Sequence, residues 1–154
     1  RGGNSRPAAA PGLPDEKLLM LDTVETLVAD GGPKKLGFLR GFKKVNPEEW
    51  FFKAHFYQDP VCPGSLGLES FLNLMKTAAL KRWNLPGARP QAMALGEKHQ
   101  WIYRGQIVQK NKLVTVEATV TGIDDEHKIL RADGFLIVDG IVIYQMKDFA
   151  VRVV

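Results

Sequence analysis

The chain has 154 residues, 45% of them hydrophobic and 25% charged, with a net charge of +4 and a single cysteine, Cys62. That size supports one domain with a sizeable core, and a mild positive charge without an arginine-rich arm or an aromatic-and-basic signature argues against a nucleic-acid binder. One cysteine excludes an internal disulfide framework and fits a reducing, cytoplasmic compartment, and neither a signal peptide nor a membrane span is present.

Residues 1–14 are rich in Gly, Pro and Ala, the composition of a flexible linker. With a first residue other than methionine, they read as a piece of interdomain chain ahead of one domain over 15–154. Residues 23–29 alternate Val24, Thr26 and Val28 against other residues and predict a strand. A turn at Asp30-Gly31-Gly32-Pro33 leads into a second strand over 35–45, giving a hairpin. Asn46 and Pro47 mark the start of a short helical turn, after which Trp50-Phe51-Phe52 reads as a strand-like run delivering His55.

Pro60, Pro63 and Gly64 punctuate the loop that follows, and Pro63, Gly64 and Ser65 make a turn and a candidate N-cap region. From Leu66 to Trp83 the sequence is apolar on nearly every helical face, which predicts a long helix buried on all sides. Glu69 and Asn73 lie one turn apart on it. A carboxylate in such a helix has to be neutralised, paired or used. Asn84-Leu85-Pro86-Gly87 ends the helix, and a loop runs to residue 94. Strands are then expected over 97–109, 113–123, 129–138 and 141–153. Asp139-Gly140 is a two-residue hairpin signal between the last two. The sum is an α+β domain, an antiparallel sheet of about six strands wrapped around one long central helix.

His55 among aromatics, and Glu69 alone, each read more readily as structural residues than as catalytic ones. Together, on either side of a stiffened loop, they form a pair of titratable groups able to divide base and acid roles. Gly64 permits close approach by a ligand, and the N–H groups at a helix start can stabilise an oxyanion. Cys62 reads as a small buried hydrophobe, His99 and His127 as surface residues, Asp59 as a turn former, and no metal spacing is present.

From His55-Phe56 through Asp59-Pro60-Val61-Cys62-Pro63-Gly64-Ser65-Leu66-Gly67-Leu68 to Glu69, the sequence resembles the thioester dehydratases of fatty acid synthesis. It is nearest to the bacterial β-hydroxydecanoyl-acyl-carrier-protein dehydratase/isomerases. Likeness extends over residues 18–152 and includes the hairpin at Val138-Asp139-Gly140. The resemblance implies the hot-dog fold, His55 as catalytic base and Glu69 as catalytic acid. It also implies Gly64 N–H as donor to the thioester carbonyl, Val61 C=O as the group fixing the His55 tautomer, and Ser65 and Asn73 as substrate-side neighbours.

Two departures qualify it. Glu69 stands where the decanoyl isomerases carry aspartate, and Ser65 where cysteine is frequent, so dehydration is implied more strongly than double-bond isomerisation. The implied substrate is a 3-hydroxyacyl thioester on the phosphopantetheine arm of an acyl carrier protein, with no other cofactor. The implied partners are that carrier and a second hot-dog domain, this chain's own copy or a neighbour in a polyunsaturated fatty acid synthase or related multienzyme. A thioesterase or enoyl hydratase of the same fold, and a silent acyl-binding or dimer-completing domain, remain as alternatives.

Overall fold

The computed structural model describes residues 16–91 and 94–154; the expected linker over 1–14 lies outside them. A short 3-10 turn at Glu16–Leu18 precedes strands β1 (Thr23–Val28) and β2 (Phe38–Lys44). Helices α1 (Trp50–Ala54) and α2 (Gly64–Arg82) follow, then β3 (Pro90–Gln91), β4 (Gln100–Tyr103), β5 (Leu113–Asp124), β6 (Ile129–Val138) and β7 (Ile141–Val153). Among the described residues the strands form one antiparallel sheet of seven in the order β1-β2-β5-β6-β7-β3, with β4 also on β7.

The three long strands form because their apolar residues recur every second position. In β5, Val114, Val116, Ala118 and Val120 turn inward and are buried, while the residues between them are partly exposed. The β6–β7 hairpin closes on Asp139 and Gly140, both at positive φ (48° and 87°), as a type I′ turn requires. Asp139 is also held from outside the hairpin: its carboxylate accepts hydrogen bonds from the N–H groups of Lys112 and Leu113 and from Asn111 Nδ2. Register shifts in β1, β5, β6 and β7 bend these strands, because each bulge adds a residue to one side of the ladder.

Helix α2 lies against β2, β3, β5, β6 and β7. Leu66, Phe71, Leu72, Leu74, Met75, Ala78 and Ala79 of the helix are all buried, so its apolar circumference is used on several sides. Gly134 of β6 makes room for Phe71: a side chain there would collide with the Phe71 ring and the Glu117 carbonyl. Phe71 then meets Phe149 of β7 edge-on, with centroids 5.6 Å apart.

Three expectations are corrected. The helix expected over 66–83 is α2, nineteen residues long, but it is not the one long central helix of the expectation: the five-residue α1 stands beside it, with seven strands rather than about six. Trp50-Phe51-Phe52 is helical rather than strand-like, because Phe51 and Phe52 are both buried, whereas a strand would send them to opposite faces. The run expected over 97–109 pairs regularly only at Gln100–Tyr103. Beyond Tyr103 it continues as a single bridge from Val108 to Val61, diverted toward the loop ahead of α2.

Candidate active site

His55 ends α1 in right-handed helical geometry, its N–H bonded to Phe51 O at 3.2 Å. Asn46 Oδ1 accepts from Glu48 N at 3.0 Å, and Phe52 N–H reaches Glu49 O at 3.1 Å. These local turns start α1 and offset the strand preference of its aromatics. The chain then reverses: Phe56 and Asp59 pair, and Gln58 takes a positive φ of 53°. Val61 and Cys62 are pinned to the chain beyond β4, through the Val61–Val108 bridge and a 2.8 Å hydrogen bond from Cys62 N to Ile107 O.

This pinning places the Val61 carbonyl 3.3 Å from His55 Nδ1. With the proton on Nδ1 donated to that carbonyl, Nε2 presents its lone pair. The His55 ring is half-buried and lies against Phe56, with centroids 3.9 Å apart. Cys62 is buried, and burial pushes its thiol up to about 12, so it is no thiolate nucleophile near neutral pH.

Pro63 is the N-cap of α2 and carries no side-chain cap. The N–H groups of Leu66 and Gly67 turn to Pro63 O at 2.9 and 3.4 Å, and those of Gly64 and Ser65 lie at the open helix end, where no preceding turn supplies an acceptor. Aromatics from β4 crowd this end: a Cβ on Gly64 would sit 3.0 Å from Tyr103 and 3.2 Å from Trp101. Tyr144 of β7 packs on Gly67 and stacks beside Trp101 and Tyr103 at 5.5 and 4.9 Å. Burial raises the Tyr144 phenol above its ordinary range. Ser65 is exposed.

Glu69 sits in the second turn of α2 with two donors on the same oxygen. Asn73 Nδ2 lies 2.8 Å and Lys76 Nζ 2.7 Å from Oε1. Asn73 is buried, and its Oδ1 accepts from Met20 N at 2.8 Å, ahead of β1. That bond fixes which end of the amide faces Glu69. In the sequence Lys76 reads only as a charge interrupting an apolar helix. Its spacing, seven residues beyond Glu69 and hence two turns along the same face, is the signal that identifies it.

No hydrogen bond or ion pair joins His55 to Glu69 among the described residues; the histidine pairs with Val61 and the carboxylate with Asn73 and Lys76. A cavity of about 20 Å³ behind α2, walled by Met20, Phe51, Phe52, Cys62 and Leu66 among others, includes neither residue in its lining. The described residues contain no cluster of three or more His, Cys, Asp or Glu suited to a metal ion, and no helix among them is long and apolar enough to cross a membrane.

Residues 13–147 match the model of the FabA-like domain family. The chain is 39% identical over 139 residues to a polyunsaturated fatty acid synthase polypeptide of a Thraustochytrium species, covering 86% of this chain and 9% of that protein's length. Among solved structures it is similar to the dehydratase heterocomplex ApeI:P of Xenorhabdus doucetiae, with a TM-score of 0.64 at 12% identity over 90% of this chain and 84% of that one. It is also similar to a hypothetical thioesterase of Streptococcus pneumoniae with coenzyme A, with a TM-score of 0.56 at 10% identity, covering 86% and 84% of the two chains. These structural likenesses establish a hot-dog-like fold, a curled antiparallel sheet with a helix against it.

Proposed function

The chain belongs to the FabA-like domain family, and from that premise we propose that it dehydrates 3-hydroxyacyl thioesters to trans-2-enoyl thioesters. The observation that carries this reading is the contact between His55 Nδ1 and the Val61 carbonyl, beside a helix end whose amides are open. Nε2 is then the base that takes the α-proton. The Gly64 N–H and the positive end of α2 face the thioester oxygen as enolate charge grows. Glu69 gives a proton to the β-oxygen, the carbon–oxygen bond breaks with its electrons leaving on oxygen, and water departs.

Because His55 and Glu69 are not joined within one chain, the reading includes a second hot-dog domain, a copy of this chain or a neighbour, that brings the complementary residue. The β4 edge supports this: Trp101 and Tyr103 are exposed there, and among the described residues β4 pairs with β7 alone. The same reading includes residence in a polyunsaturated fatty acid synthase, which the likeness to the Thraustochytrium synthase polypeptide supports, and delivery of the substrate on an acyl carrier protein. Isomerisation is not included, since Glu69 replaces the aspartate of the decanoyl isomerases.

The test is conversion of a 3-hydroxyacyl thioester to its enoyl product by wild type and by His55→Ala. Product from wild type alone is expected. A wild-type dimer that melts cooperatively but forms no product, over several acyl lengths and with carrier-bound substrate, overturns the reading. Sedimentation checks the second domain, and an active monomer excludes it.

A further inference from the structure

We propose that Lys76 is a positioning residue for the reaction: its buried ammonium holds Glu69 by Oε1, so that Oε2 alone hands the proton to the departing hydroxyl. This rests on the reading of Glu69 as the acid.

Lys76 is an expensive residue where it stands. Its side chain is 7% exposed and that of Glu69 18%, on a helix whose neighbouring Leu72, Met75 and Ala79 are core residues. Taking an ammonium out of water is unfavourable, and an apolar side chain of similar volume commonly replaces a buried ion pair at no cost to stability. Packing alone therefore gives no reason for a lysine here. The pairing does.

The geometry has a direction. Helical side chains lean toward the helix N-terminus, so Lys76 reaches back along the face occupied by Asn73 to Glu69, and both donors converge on Oε1. An oxygen already accepting from an ammonium and an amide is a poor place for the carboxyl proton. The proton that Glu69 gives up therefore leaves from Oε2, which takes no hydrogen bond among the described residues. When it moves to the β-oxygen and water leaves, negative charge spreads over the carboxylate, and the 2.7 Å contact from Lys76 becomes a full charge-assisted bond. An interaction that strengthens as the proton leaves lowers the barrier without tightening substrate binding.

Asn73 alone does not supply this. Its carbonyl is held by Met20 N, so its amide orients Glu69 but brings no formal charge. The two residues divide the work: Asn73 sets direction and Lys76 supplies charge.

The experiment uses the full chain with a 3-hydroxyacyl-coenzyme A substrate and measures kcat and KM for wild type, Glu69→Gln, Lys76→Met and Lys76→Gln, with a thermal melt of each. Lys76→Met is expected to lower kcat on the order of 10²-fold with KM little changed and with cooperative melting retained. Lys76→Gln, which keeps a donor without the charge, is expected to fall between it and wild type. It also serves as the test variant if Lys76→Met fails to fold. Wild-type kcat in a folded Lys76 variant, alongside a loss in Glu69→Gln, overturns the proposal and leaves the acid assignment standing. A loss confined to KM also overturns it. Full turnover by Glu69→Gln removes the acid assignment itself, and this inference with it.

Discussion

At its C-terminal end, α2 is closed from within the chain. Asp125 accepts hydrogen bonds from Arg82 Nε and Nη2 at 2.9 and 2.7 Å and from Trp83 Nε1 at 2.7 Å, and Trp83 N–H completes the last turn on Ala79 O. At its N-terminal end, Pro63 caps nothing with its side chain, and the Gly64 and Ser65 amides take no acceptor among the described residues. One end spends its polar groups on itself. The other leaves its helix-end amides without an acceptor among the described residues. Polar groups satisfied internally act on stability, and amides left without an acceptor are the ones available to a ligand.

Substitutions at the two ends are expected to separate activity from stability. The largest effects belong to the open end: His55→Ala and Glu69→Gln are each expected to lower turnover by roughly 10²–10⁴-fold, His55→Ala with its melting temperature held and Glu69→Gln with a loss, because it leaves the buried Lys76 ammonium without its counter-charge. Steady-state assay beside a thermal melt decides this, and a large loss of melting temperature in His55→Ala breaks the comparison. Between the ends, Gly134→Ala is expected to cost about 1–3 kcal/mol of stability, because its methyl meets the Phe71 ring and the Glu117 carbonyl. Denaturant unfolding reads that cost.

The smallest effect is at the closed end. Asp125→Asn is expected to lower the melting temperature slightly and to leave turnover unchanged, since the site is solvent-exposed and such pairs are weak. Its pH dependence sharpens the point. Hydrogen bonds from Arg82, then from Trp83, hold the Asp125 carboxyl at about 2, below its ordinary 3.8. A depressed carboxylate stabilises the fold above its unfolded value and loses that contribution as the pH falls through the folded one. The gap between wild type and Asp125→Asn is therefore expected to be full above about pH 4 and to close toward pH 2. A gap that persists below about pH 2 excludes the carboxylate as its source.

Local periodicity makes the β-rich half of the chain legible. Strands β6 and β7 coincide with the expected 129–138 and 141–153, because alternation and the Asp139-Gly140 turn are both encoded in adjacent residues. What adjacent residues do not encode is decided over longer distances. Aromatics at Trp50–Phe52 satisfy helix and strand propensity alike until burial selects, and the run over 97–109 is interrupted by pairing with Val61, nearly fifty residues away. Strand β3 escapes prediction because two residues beside a loop have no period. The histidine, the glycine and the carboxylate are visible through motif resemblance. Lys76 is not, since its meaning appears only when the helix brings it over Glu69. That no intrachain hydrogen bond links His55 with Glu69 is likewise a property of the fold, unreadable from their fourteen-residue separation.

The bond from Met20 to Asn73 has a consequence for mutational mapping. Its donor is a main-chain amide, so replacing the Met20 side chain alters packing and leaves the donor in place. Among the standard residues only proline deletes that N–H. Alanine at position 20 is therefore blind to the link between the approach to β1 and the Glu69 network, and Asn73→Ala removes the acceptor together with the amide that holds Glu69. A backbone-directed probe, such as an ester in place of the residue 20 amide, is the means of seeing it.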